Sequence, residues 1–157
     1  MDSSKNPDRV RALLLDPRIE PYVIHLVRDG RANTWSYIKK YKKIFPFLFT
    51  WFLKNIKIEL LRREVGVPWV RVHYAQLTEH AMEVMEHIAK KIQCRPEFDI
   101  ESFCNHEQHQ IAGNRMRHKK NNVIARDMKW KTEMPTHLQI AVLLLFGWLN
   151  VYYYYRI

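Results

Sequence analysis

The chain has 157 residues, 47% of them hydrophobic and 13% aromatic, a composition that excludes an intrinsically disordered segment and suits one domain, or a piece of one, with a sizeable core. A formal net charge of +10 at pH 7 implies an anionic partner: nucleic acid, a membrane surface or a phosphorylated small molecule. The only cysteines are Cys94 and Cys104, which excludes a disulfide framework and a CxxC zinc pair.

In chain order, Met1 to Pro7 is polar and charged, so neither a signal peptide nor an amino-terminal anchor is expected, and the chain as given reads as cytoplasmic. Val10 to Leu15 reads as a short helix stopped by Asp16-Pro17, because proline disfavours helical geometry in the residue before it. Tyr22 to Val27 is a β-branched-rich apolar run, predicted as a strand buried on both faces of a parallel sheet. Arg28-Asp29-Gly30-Arg31 follows at once, and a helix is predicted from Ala32 to about Lys43.

That junction is the first candidate site. In open α/β sheets, anions bind at the carboxyl ends of strands, beside the free N–H groups and positive dipole end of the next helix. Arg28 at the strand tip offers a forked charged donor. Ser36, eight positions on and about two helical turns along, offers a hydroxyl to the same phosphate. The competing reading makes Arg28 a solvated or salt-bridged loop residue.

Trp35 to Leu61 interleaves aromatic with basic residues, as a single-stranded nucleic-acid groove does. The aromatics recur at helical spacings, however, and Pro46 is expected to break the stretch into two helices, so they are assigned to a core or an acceptor pocket and no nucleic acid is expected. Gly66-Val67-Pro68 turns the chain into a second predicted strand, Trp69 to Tyr74. Glu79 to Ile92 follows as an amphipathic helix packing on the sheet, closed by Pro96. Cys104 to His109 gathers ligand-type side chains, but its histidines are three apart rather than in HExxH spacing, and no metal site is expected. Leu138 to Tyr155 is free of charge and reaches the lower length limit of a membrane span. Gln139, Gly147 and Asn150 interrupt it, so residues 136–155 are predicted as an apolar helix packed on the core, without a membrane role.

Val-Ile-His-Leu-Val-Arg-Asp-Gly-Arg-Ala at 23–32, with serine at 36, resembles the 3′-phosphate-binding strand-loop-helix of sulfotransferases that use 3′-phosphoadenosine 5′-phosphosulfate (PAPS). Leu13 to Arg18 is similar to the segment ahead of that strand. Tyr74-Ala75-Gln76-Leu77 resembles the family's Tyr-Glu-Asp-Leu with both acids replaced. His109, Gly113-Asn114 and Arg117 resemble the His-x-x-x-Gly-Asn-x-x-Arg motif of bacterial and carbohydrate-type relatives, and Asp127 to Trp130 its following Asp-x-x-Trp. The similarity covers about residues 10–155. It implies that Arg28 and Ser36 hold the 3′-phosphate, that Tyr74 borders the nucleotide pocket, and that Arg117 brings a second charge, with Asn114 and Arg115 as lesser contacts. Gly113 would allow close backbone approach. The implied co-substrate is PAPS, and the implied reaction is sulfuryl transfer to an acceptor hydroxyl or amine.

The family's glycine-rich phosphosulfate loop has no counterpart here: the four glycines are Gly30, Gly66, Gly113 and Gly147. The activating base of relatives also usually lies upstream, so no catalytic residue is assigned and activity of this chain alone is left open. The expected fold is α/β: an incomplete three-layer α/β/α sandwich with a short parallel sheet including 22–27 and 69–73, forming one partial domain over 1–157. It would comprise a phosphate-binding strand-loop-helix at 22–43, a nucleotide-covering loop at 109–117 and the carboxy-terminal helix. An open strand edge and exposed apolar surface are expected to promote association. The alternatives are an inactive fragment that binds nucleotide or is structural only, and a basic membrane- or nucleic-acid-associated protein.

Overall fold

The computed structural model describes residues 6–42, 45–93 and 126–155. They fall into two compact units, Met1–Tyr74 with Asp127–Ile157, and Ala75–Arg126. The architecture is mixed helix and strand: a short two-strand parallel sheet among a majority of helices.

The first unit runs α1 (Asp8–Leu13), β1 (Val23–Val27), α2 (Gly30–Tyr41), α3 (Phe45–Glu64) and β2 (Trp69–His73), and after the second unit resumes with α6 (Trp130–Glu133) and α7 (Thr136–Tyr155). The two predicted strands both form and pair in parallel, in a register from Val23 opposite Trp69 to Val27 opposite His73. Parallel pairing requires a crossover, which α2 and α3 supply. Among the described residues each strand keeps one edge unpaired.

Three local expectations are corrected. β1 is not buried on both faces: His25 and Val27 are buried, whereas Ile24 and Leu26 are 43% and 50% exposed. Val27 packs into the core with Trp51 of α3 and Val142 of α7, whereas on the opposite face burial reaches Val70 and Val72 of β2 but not their partners Ile24 and Leu26. The first helix after β1 starts two residues early, at Gly30, because the Asp29 side chain caps it by accepting from the Arg31 N–H at 2.8 Å. The two helices of the aromatic stretch are separated not at Pro46 but at Lys42, which closes α2 in the left-handed region (φ 56°). Pro46 lies in the first turn of α3, where a missing N–H costs nothing.

The core joins Val27, Trp51, Met134, Val142, Phe146, Leu149 and Tyr153. Phe52 of α3 stacks on Phe146 of α7 with ring centroids 4.7 Å apart. Lys39 and Trp35 of α2 both donate to Glu133 of α6, at 2.6 and 3.2 Å. In α7 the buried residues recur as Val142, Phe146, Leu149 and Tyr153, one helical stripe. The sequence-level helix over 136–155 is present, but the core takes only that stripe.

Tyr74 opens α4 (Tyr74–Glu79). Within the second unit, α5 (Ala81–Lys91) follows a break at His80 and buries Ile88 and Ala89, and Arg126 pairs with Glu79. The predicted amphipathic helix is therefore realised in shortened form.

Candidate functional site

Chain direction fixes the site. β1 ends at Val27 and α2 begins at Gly30, so Arg28 and Asp29 occupy the strand-to-helix turn at the carboxyl edge of the sheet. The turn is held from several sides. The Arg28 carbonyl accepts from the Trp51 indole N–H at 3.1 Å, and the Gly30 N–H donates to Asn150 Oδ1 of α7 at 3.1 Å. Asp29 binds Arg31 through both carboxylate oxygens, at 3.1 and 2.7 Å, while the Arg31 guanidinium lies 4.5 Å over the Trp130 ring. The hydrogen bonds to Asp29 raise the Arg31 pKa. Gly30 is required by close approach: a Cβ there would stand 3.0 Å from the six-membered ring of Trp51.

The Arg28 side chain leaves this turn toward β2 and α6. Its guanidinium lies 4.9 Å over the ring of Tyr74, the first residue after β2. Its Nη2 donates to Asp127 Oδ2 at 3.0 Å. Its Nε is buried and unpartnered among the described residues. Burial works to raise the Asp127 pKa, but hydrogen bonds from Arg28 and the Lys129 N–H, together with their positive charges, outweigh it and hold the carboxyl below its ordinary value. Arg28 is thus a planar cation fixed on an aromatic face with an unspent donor, a form suited to an oxyanion. Here it holds the one carboxylate that an arriving phosphate would have to displace.

Of the sequence-level candidates, Arg28 and Tyr74 meet directly. Ser36 is exposed on α2, six residues past Gly30 and hence about 9 Å along the helix axis, and no hydrogen bond joins it to either. Asn114, Arg115 and Arg117, with the rest of the 109–117 loop and the Cys104–His109 cluster, lie outside the described residues. The free amides expected at the amino end of α2 are partly consumed: the Gly30 N–H goes to Asn150 and the Arg31 N–H to Asp29. Side-chain charge, rather than those two amides, is what the turn offers an anion. Trp130, the tryptophan of the Asp-x-x-Trp segment, is buried.

A second polar constellation lies under the sheet, and sequence reasoning missed it. Asn55 of α3 donates to the Trp51 carbonyl at 2.7 Å, which turns its Oδ1 toward His25 Nε2 at 3.2 Å. His25 therefore carries its proton on Nε2, and Nδ1, 4.0 Å from Glu59 Oε1, has no hydrogen-bond partner among the described residues. Arg71 of β2 pairs with Glu59 at 2.5 Å, and its guanidinium is 4.7 and 5.2 Å from the ring centroids of Tyr153 and Tyr152. The Tyr152 hydroxyl donates to Glu59 Oε2 at 3.2 Å. Burial, then the positive charge of Arg71, push the His25 pKa down to about 4 against the opposing pull of Glu59. A neutral histidine enclosed this way is a structural member that ties α3, β2 and α7 together. Its one signal in the sequence is the inward-facing His25, Arg71 and His73 on otherwise apolar strands.

Among the described residues no group of histidine, cysteine, aspartate and glutamate side chains forms a metal site. Compared with known proteins, the chain matches no protein-family model, no curated protein and no solved structure.

Proposed function

We propose that this chain is the 3′-phosphate-binding portion of a PAPS-dependent sulfotransferase, built on an incomplete three-layer α/β/α sandwich. The observation that carries the reading is Arg28: a cation at the carboxyl end of a parallel strand, laid on the Tyr74 ring at 4.9 Å, with a buried Nε left to give. The 3′-phosphate of the nucleotide takes the place of the Asp127 carboxylate on the Arg28 fork, and the Tyr74 ring forms the floor beneath it. Bound PAPS would supply the sulfuryl group. This chain contributes donor positioning: a cation holding the 3′-phosphate orients the 5′-phosphosulfate, whose 5′-phosphate is the leaving group when the S–O bond breaks. The sequence similarity over residues 23–36 supports the same assignment.

A second reading, a structural fragment without a nucleotide site, is favoured by the Arg28–Asp127 ion pair itself. Titration calorimetry separates the two. The proposal expects adenosine 3′,5′-bisphosphate to bind and adenosine 5′-monophosphate to bind much more weakly, with the preference lost in Arg28→Ala. A folded chain that binds neither is the structural fragment, and a preference that survives Arg28→Ala overturns the assignment of the phosphate to Arg28.

A further inference from the structure

From Ile140 to Val151 the face of α7 opposite the core is apolar. Ile140, Leu144, Leu145, Trp148 and Val151 are 46–81% exposed, with Leu144 the extreme. Residues 140, 144, 148 and 151 follow the helical repeat, so they form one stripe. The Trp148 ring meets Phe52 of α3 edge-on at 5.7 Å, which joins this stripe to the solvent side of α3. There Leu53, Lys57 and Leu60 are exposed and, at i, i+4 and i+7, share one side of the helix. α7 is long and apolar enough to cross a bilayer, but its inner stripe is tied to the fold: Asn150 accepts from Gly30, and Tyr152 donates to Glu59. Crossing would break those bonds. Lying flat would not.

We infer that the α7 face, with the Leu53–Leu60 side of α3, docks on the surface of an anionic lipid bilayer, placing the helix in the interface while the rest of its unit stays in water. Charge selects this occupant. The chain carries +10, which attracts a negative leaflet and opposes pairing with an equally charged second copy. Lys57 lies in the same row of α3 as Leu53 and Leu60, where lipid phosphates would meet it, and Trp148 suits the boundary between acyl chains and headgroups. The inference departs from the sequence-level expectation of no membrane role, because only one stripe of α7 is taken up by the core. It does not depend on the nucleotide site.

Co-sedimentation with vesicles tests it, using phosphatidylcholine alone and phosphatidylcholine containing phosphatidylserine. The full chain is expected to sediment with the phosphatidylserine vesicles and to be released by salt. Leu144→Gln with Trp148→Gln, both at exposed positions, is expected to keep the wild-type circular dichroism and lose binding by tenfold or more. Lys57→Glu is expected to weaken binding roughly tenfold without touching the apolar stripe. Equal sedimentation with both vesicle types, or none by the folded chain, overturns the inference. So does a stable dimer that Leu144→Gln with Trp148→Gln converts to monomer and that ignores vesicles. Retained nucleotide binding by the Leu144 and Trp148 variant keeps this result separate from the phosphate site.

Discussion

The guanidinium of Arg28 and the carboxylate of Asp127 meet at 3.0 Å although 99 positions separate them in the chain. The pair fastens the turn after β1 to the segment leading into α6, at the place where the proposed function puts the 3′-phosphate. Both side chains are partly solvated, so the pair is worth about 1 kcal/mol at most to stability. Asp127→Asn should therefore lower the urea midpoint only slightly, with the slope of the transition unchanged. A large loss would mean that the pair is chiefly structural.

Gly30 lets Trp51 lie against the backbone of the turn after β1. A methyl group 3.0 Å from the ring forces a shift, and Trp51, buried and bonded to the Arg28 carbonyl, has nowhere to go. Gly30→Ala should cost about 1–3 kcal/mol by overpacking. Denaturant unfolding measures it.

Glu59 and Arg71 form a buried ion pair, with side chains 10% and 9% exposed. Removing one partner strands the other, so Glu59→Leu alone and Arg71→Met alone should each cost about 3–5 kcal/mol. The double variant should cost clearly less than either single one. A double-mutant cycle in urea checks this, and additive losses would contradict the pairing.

His25 sets an acid limit. It is held at about 4 in the folded chain by burial and by Arg71, with Arg62 adding to the effect and Glu59 and Asn55 opposing it, whereas an unfolded histidine titrates near 6.5. Between those values the unfolded chain binds a proton that the folded chain refuses, so stability falls as pH drops from about 6.5 to 4, by about 3 kcal/mol over the whole window. Above 6.5 the loss vanishes. His25→Gln should flatten the dependence of the urea midpoint on pH in that window. His73, also held down chiefly by burial, adds a smaller slope of the same sign.

How much of this was legible in the sequence follows from how local each signal is. β1, β2 and the long helices are written in short-range patterns, and all of them form. The exposure of Ile24 and Leu26 was not legible, because an apolar run does not say how many of its faces are covered. The Asp29 cap and the left-handed Lys42 are local, yet each competes with a louder neighbour, the arginines in one case and Pro46 in the other. Arg28 and Tyr74 could be paired only through the family resemblance, since a contact between strand ends has no spacing of its own. The partnership with Asp127 and the His25–Asn55–Glu59–Arg71 network join residues 12 to 99 positions apart, and neither leaves a motif.

The most direct measurement of the central claim is calorimetric titration with adenosine 3′,5′-bisphosphate of the wild-type chain, Arg28→Ala and Asp127→Asn side by side. If the 3′-phosphate replaces the Asp127 carboxylate on Arg28, Arg28→Ala abolishes binding and Asp127→Asn tightens it roughly threefold to tenfold by removing the competitor. Binding that is absent in all three folded proteins, or that is weakened by Asp127→Asn and indifferent to Arg28→Ala, would contradict the assignment.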